Sequence, residues 1–190
     1  MKLPQILPVF FILKKDGKKR MVQSYQYLNS CMVKNDYLLL LVLDLIDNIG
    51  KKKVFTKMDL WYGYNNIRIK KGNEWKAAFL IPKETFEPTL IFFGLTNSLA
   101  NFQAVMNDLL RDMIEVGDVT ALIDNIMVGT KAEKEYNKIV EDVLRRMIEN
   151  NLFVKSEKYV WKVREVGFLG VVIGSDRVKM EKKKVQEVVD

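Results

Sequence analysis

Residues 96–150 constrain the fold most, because a helix, two short strands and a second helix follow one another with almost no room between them. From Thr96 to Val116, the residues Leu99, Phe102, Val105, Met106, Leu109, Leu110 and Met113 recur at three- and four-residue spacing, the period of a helix with one apolar face. Thr96 or Asn97 supplies an N-cap, and Gly117 a stop. Val119 to Ile123 and Ile126 to Thr130 are β-favouring runs divided by Asp124-Asn125, a turn pair, and they predict a tight hairpin. Ala132 to Asn150 predicts a second helix, with Tyr136, Ile139, Val140, Val143, Leu144, Met147 and Ile148 on one face. Such elements pack as an α+β fold, with helices on one face of an antiparallel sheet.

The flanking segments fit that class. Val9 to Leu13 and Met21 to Tyr25 predict two strands around the Asp16-Gly17 turn. Leu38 to Ile49 has helical length, with Gly50 as its stop. Val54 to Asp59 predicts a strand, and Gly63 separates it from another near Tyr64 to Ile69. Val166 to Ile173 predicts a last strand, followed by a polar turn and the start of a charged helix. There is no internal repeat, low-complexity linker or Gly-rich phosphate loop.

Composition narrows the function classes. The longest apolar stretch, Tyr37 to Ile46, is interrupted by Asp44 and falls short of the roughly 18 residues that span a bilayer, so no membrane is expected. Cys31 stands alone, which leaves no intrachain disulfide, and with no histidine zinc chemistry is not expected. An intracellular, reducing location is expected. The net charge of +7 favours a polyanionic partner, although the clusters Lys14–Arg20, Lys51–Lys53 and Lys182–Lys184 read equally as solvated faces.

Two carboxylates stand in apolar surroundings, Asp59 in VFTKMDL and Asp124 in ALIDNIMV. Such groups are costly to bury unless paired or bound to a cation. Brought together they can hold divalent metal for phosphoryl transfer. Read separately, Asp124-Asn125 is simply a turn and Asp59 caps a loop.

From about Leu7 to Asp190 the chain resembles reverse transcriptases of gypsy-type LTR retrotransposons. The phrases that carry the resemblance are PVFFILKKDGKKRM, YQYLN, FTKMDLWYGYNNIRIKKGNEWKAAF, FEPTLIFFGLTNSLANFQAVMNDLLRD, LIDNIMVGTKAEKEY, ENNLFVKSEKYVW and VGFLGVVI, in this order. The resemblance implies right-hand polymerase fingers and palm, with an antiparallel palm sheet. Residues 1–58 would form the first part of the fingers leading into the palm, and 59–72 the palm segment with the first catalytic Asp. Residues 73–95 would be the second part of the fingers, 96–175 the palm with catalytic hairpin and primer-grip strand, and 176–190 the start of a following segment. It implies Mg²⁺, or Mn²⁺, on Asp59 and Asp124, with Asn125 at the second Asp of the box and Lys158 as proton donor to pyrophosphate. Lys14, Lys15, Arg20, Tyr64, Phe93 and Gly94 would contact the incoming dNTP, with Tyr64 as the gate against a 2′-hydroxyl. Gln103, Leu122, Phe168, Leu169 and Gly170 would face an RNA or DNA template with its primer.

The departures from the family pattern are as informative as the matches. Asn125 replaces an Asp and Leu122 a Tyr, while Ser24 and Gln26 replace an Asp and Arg pair in the fingers. Trp61 stands for an arginine, and Leu38, Leu40, Phe92 and Leu99 for prolines. Leu for Pro at 38, 40 and 99, Trp61 for Arg, Gln26 for Arg, Asn125 for Asp, Tyr136 for His and Tyr159 for Cys are each one C-to-T or G-to-A change away, the signature of a copy decayed by cytosine deamination. Within 190 residues there is room for fingers and palm but not for a thumb or an RNase H module. The expected function is therefore an RNA-directed DNA polymerase domain of a retrotransposon polyprotein, impaired by Asn125 and by truncation. The alternatives are a non-catalytic relic that binds nucleic acid electrostatically, or a domesticated interaction module.

Overall fold

The computed structural model describes residues 7–13, 17, 19–35, 42–61, 63–82, 84–92, 94–175 and 177–181. Lys14, Lys15, Asp16, Leu38, Leu40, Phe93 and 182–190 lie outside them. The chain divides into two compact units. One is formed by Met1–Tyr37 with Tyr62–Phe102, the other by Leu38–Trp61 with Gln103–Asp190.

In the first unit, β1 (Val9–Leu13) and β2 (Lys19–Gln23) pair antiparallel, with Val9 opposite Gln23 and Leu13 opposite Lys19. The second strand therefore begins and ends two residues earlier than its apolar pattern predicts, because Tyr25 already caps helix α1 (Gln26–Cys31). Gly17, at φ +76°, supplies the expected left-handed residue between the two strands. The strand predicted near Tyr64 to Ile69 is absent. A 3-10 helix occupies Gly63–Asn66, since Gly and two Asn residues favour turns over a pleated ladder, and only Arg68 makes a bridge, to Leu90. A second 3-10 helix, Glu74–Ala77, leads to the hairpin β4 (Phe79–Ile81) and β5 (Glu84–Phe86). Leu7, Tyr25, Ala77 and Phe79 form the buried cluster of this unit. The apolar side chains of β1 from Phe10 to Leu13 are left exposed.

The second unit begins with α2 (Val42–Gly50), which includes Gly50 rather than stopping before it, and β3 (Val54–Asp59), placed as predicted. Helix α3 (Ser98–Leu109) carries the chain into this unit and is followed by α4 (Arg111–Val116). A single helix was expected here. Leu110 departs from helical dihedrals (φ −114°, ψ 17°), yet Phe102, Met106, Leu110 and Met113 keep one buried stripe through the break. Side-chain periodicity registers the stripe and not the local dihedral change. Leu99 and Val105 fall off that face and are exposed. Asn97 does not cap α3, because its amide is taken by Asn35 N–H and Val33 O.

The hairpin β6 (Val119–Leu122) and β7 (Asn125–Thr130) is present, but Leu122 pairs with Asn125, so its turn is Ile123-Asp124. Helix α5 (Glu133–Glu149) buries Tyr136, Val140, Val143 and Met147. β8 (Val160–Val163) pairs with β3 and completes an antiparallel sheet of order β6-β7-β3-β8. The run Val166 to Ile173 is two strands, not one: β9 (Glu165–Phe168) and β10 (Val171–Gly174). They turn at Leu169 (φ +53°) and Gly170 (φ +84°), a two-residue turn with both φ positive. Leucine is not a turn residue, so the apolar pattern runs straight through it. Where a charged helix was expected to begin, β11 (Arg177–Met180) adds to β10, its sequence alternating charged and apolar residues.

Alternation along β3 and β7 gives the sheet two different faces. Thr56 faces α5, where its hydroxyl bonds the Tyr136 hydroxyl. Phe55 and Met127 face the other way, into a cluster with Ile49, Leu122, Phe168 and Ile173. Asp59 and Asn125 belong to this second face, at the end of the two strands.

Candidate active site

The pairing of β3 with β7 ends on Asp59 opposite Asn125, and beyond it Leu60 N–H donates to Asp124 O at 2.8 Å. The two acidic positions are thus brought together by ladder register. Asp59 is buried. Its Oδ2 lies 3.1 Å from Lys158 Nζ, and its Oδ1 is buried without a hydrogen-bond partner. Asp124 Oδ1 accepts Asn125 Nδ2 at 3.1 Å, and both side chains are half-buried.

An orphaned carboxylate oxygen beside a second carboxylate and an amide is a hard-oxygen donor set, of the kind that suits Mg²⁺ or Mn²⁺. Among the described residues no group of three or more His, Cys, Asp and Glu side chains could hold a metal, and the third position here is the neutral Asn125. The existing donors fit a divalent cation, with less negative charge than three carboxylates would supply.

Gln103 holds the hairpin that carries Asp124. Only 2% exposed, it donates from Nε2 to Ala121 O at 2.7 Å and accepts Ile123 N–H on Oε1 at 2.7 Å. Its amide is used inside the protein, not on the helix surface. Ile123 needs that anchor, since it holds φ +55°, a left-handed conformation costly for a β-branched residue.

On the other side of β3, Lys155 N–H donates to Asp59 O at 2.9 Å, Leu60 bridges Val154, and Trp61 N–H donates to Phe153 O at 2.7 Å. The segment 153–158 is thereby laced to β3, which accounts for Lys158 reaching Asp59. Neither this lacing nor the role of Gln103 was legible from the sequence, because neither involves a periodic or turn signal.

The other residues predicted for a site belong to other elements. Arg20 is on β2 opposite Ile12, Tyr64 is in the first 3-10 helix, and Gly94 has φ +104°. A Cβ at Gly94 would touch Tyr25 Cδ2 at 3.4 Å. Asn29 clamps this loop, donating from Nδ2 to Gly94 O at 2.8 Å and accepting Thr96 N–H at 2.9 Å. Burial pushes the Tyr25 hydroxyl well above its ordinary pKa. Lys14, Lys15 and Phe93 fall outside the described residues. Leu122 and Phe168 are buried in the apolar cluster of the second unit, and Leu169 and Gly170 form the adjoining turn.

The sequence profile of the family described as reverse transcriptase (RNA-dependent DNA polymerase) matches residues 12–173. The Tf2-7 polyprotein of a Schizosaccharomyces pombe transposon is 37% identical over 163 residues, and its Tf2-3 counterpart 36%. In each case the match covers 86% of this chain and 12% of the polyprotein, so the chain spans about an eighth of these relatives. The fold superposes on the foamy viral protease-reverse transcriptase in complex with RNA/DNA hybrid with a TM-score of 0.86 at 25% identity, over 97% of this chain and 25% of that one. For the same viral protein in complex with dsDNA the TM-score is 0.87 at 26% identity, over 97% and 38%. With the profile match over residues 12–173, the 37% identity to the transposon polyprotein and the shared fold, the chain belongs to the reverse transcriptase family, the RNA-dependent DNA polymerases.

Proposed function

We propose that this chain is the fingers and palm of an RNA-directed DNA polymerase from a gypsy-type retrotransposon polyprotein, extending a primer 3′-hydroxyl with dNTPs on an RNA or DNA template. The observation that carries the reading is the unpartnered, buried Oδ1 of Asp59 beside Asp124. Residues 1–58, leading into the palm, and 73–95 are read as fingers, 59–72 and 96–175 as palm, and the setting as intracellular.

In this reading Asp59 and Asp124, with the Asn125 amide oxygen, would hold Mg²⁺ or Mn²⁺, and a cation held there would favour ionisation of the primer hydroxyl and offset charge on the triphosphate. The chain's own residues do the rest. Lys158 carries its ammonium against Asp59 and can pass a proton to the leaving pyrophosphate. Gln103 keeps the Ile123-Asp124 turn in place, so that Asp124 stays next to β3. Lys14, Lys15 and Arg20 are suited to the triphosphate, Phe93 and Gly94 to the nucleotide, and Tyr64 to excluding a 2′-hydroxyl.

A second reading, a nucleic-acid-binding relic without catalysis, has one observation in its favour. Lys158 pairs with Asp59 and the Asn125 amide with Asp124, so each carboxylate already has a partner within the chain.

Primer extension on an RNA template with Mg²⁺ or Mn²⁺, run beside Asp59→Ala and Asn125→Asp, separates the two. Extension lost in Asp59→Ala supports the polymerase. A silent parent that Asn125→Asp restores places the defect in the metal site. Silence in all three, with duplex still bound, favours the relic.

A further inference from the structure

The two partners of the Asp59–Lys158 pair differ in their freedom to move. Asp59 is fixed at the end of β3: it stands opposite Asn125 in the ladder, its carbonyl oxygen accepts Lys155 N–H at 2.9 Å, and it is buried. Lys158 closes a single 3-10 turn, Ser156–Lys158, and 60% of its side chain is exposed although Nζ lies 3.1 Å from Asp59 Oδ2. The ammonium can therefore leave for water at small cost, whereas the carboxylate cannot.

Other charges stand close by. Lys57 shares a face of β3 with Asp59 by alternation, Lys155 and Glu157 belong to the turn that carries Lys158, and Asp124 lies just beyond the end of the ladder. Among the described residues, Lys158 is the lysine that pairs with Asp59. The pair engages Oδ2 and leaves Oδ1 buried without a hydrogen-bond partner. An ammonium so placed answers the charge of the carboxylate but not its full set of oxygen lone pairs, which a hard divalent cation uses better.

We propose that Lys158 is the resident counter-ion of Asp59 in the metal-free protein and vacates the carboxylate when a divalent cation loads. The inference rests on the reading of Asp59 and Asp124 as a cation site, and adds to that site a competitor built into the chain. The pairing that speaks for a relic is then the resting state of the site. Once displaced, the same ammonium is free to meet a phosphate.

The test counts free Mn²⁺ by electron paramagnetic resonance in titrations of the parent, Lys158→Met, Lys158→Arg and Asp59→Asn, without nucleic acid or dNTP. Lys158→Met is expected to bind Mn²⁺ about five-fold more tightly than the parent, Lys158→Arg about as weakly as the parent, and Asp59→Asn to lose the site. Removing a nearby positive charge tightens binding by itself, so release is read separately, by nuclear magnetic resonance of isotope-labelled lysine ammonium groups. The Lys158 signal, identified by its absence in Lys158→Arg, should move on addition of Mg²⁺ to the position it holds in Asp59→Asn. Melting temperature adds a change of sign: Lys158→Met should melt below the parent in chelator, because Asp59 is left buried without its counter-ion, and should gain more from Mg²⁺ than the parent does.

A lysine with a purely structural role would lower the melting temperature equally with and without Mg²⁺ and leave Mn²⁺ affinity unchanged. That result, or a Lys158 signal that stays put while Mn²⁺ binds in an Asp59-dependent way, overturns the counter-ion and keeps the cation site. No Asp59-dependent Mn²⁺ binding in any of the proteins overturns both. Tighter binding in Lys158→Met with a mobile Lys158 signal, but without primer extension by the parent, keeps the counter-ion and removes the polymerase.

Discussion

Asn125 and Asp124 share a hydrogen bond that a second carboxylate would abolish. Asn125→Asp replaces an N–H donor with a like charge beside Asp124 and opposite Asp59, so the metal-free protein should lose about 1–3 kcal/mol. A divalent cation should recover more stability in the variant than in the parent, because it gains a third carboxylate. Melting temperatures in chelator and in Mg²⁺ check this, and equal Mg²⁺ shifts in both proteins would refute it. Gln103→Ala acts through the backbone instead. It orphans Ile123 N–H and Ala121 O, each worth about 1–3 kcal/mol, and releases the turn that holds Asp124. Urea unfolding should show that loss, whereas a midpoint unchanged from the parent would mean that water replaces the amide. That Asp59 and Asp124 meet across the ladder was legible only as one of two alternatives, because charge inside apolar runs is conspicuous but also suits a turn and a loop cap. The hold of Gln103 on the hairpin was not, because a glutamine on a helix carries no mark of the backbone it meets.

Two glycines separate conformation from space at the level of elements. Gly117 ends α4 at φ +79°, and a Cβ there would meet nothing within 4 Å. Gly129 lies in β7 with no positive φ, but a Cβ there would sit 3.1 Å from Lys52 Cγ. Gly117→Ala should therefore cost about 1–2 kcal/mol through the backbone alone. Gly129→Ala should cost about 1–3 kcal/mol through crowding, and should disturb the 2.6 Å pair of Lys52 with Asp118. Thermal unfolding of each, and of each combined with Lys52→Ala, tests the distinction: only the Gly129 loss should shrink when Lys52 is trimmed. Between α4 and α5, Arg146 forks onto Asp112. The hydrogen bond from that guanidinium holds the Asp112 carboxyl at about 2. A folded-state value below the ordinary carboxylate value of about 4 stabilises the protein above it, and the contribution is lost as pH falls from about 4 through about 2. The pair is exposed, so the effect should be small and salt-sensitive. The urea midpoint should fall more steeply over that range in the parent than in Asp112→Asn, and parallel curves would exclude the linkage. Elements with a clear period, β3 and α5, were legible almost to the residue. The turns at Ile123-Asp124 and Leu169-Gly170 were not, because apolar residues occupy left-handed positions that register imposes on them.

At the scale of the molecule, the segment Tyr62–Phe102 of one unit interrupts the other between β3 and β7. Lys52 must wait for Asp118, 66 residues further on, whereas β6–β7 and β9–β10 close through two-residue turns. Loop closure favours the local hairpins, so pulse-labelled hydrogen exchange during refolding should protect Val119–Thr130 and Glu165–Gly174 before Val54–Asp59. Earlier protection of β3 would show that the ladder with β7 nucleates folding instead. The two-unit division itself was only partly legible, since a chain that leaves a unit and returns shows no linker at the crossing. In the first unit, β1 sets a practical limit on how the protein can be handled. Phe10, Phe11, Ile12 and Leu13 are exposed in a sheet of only two strands, with Leu13 at 70%. Such a strand recruits copies of itself, so the concentration at which this domain stays dispersed should be governed by four side chains far in sequence from its carboxylates, and a single lysine among them should raise solubility without altering the melting temperature.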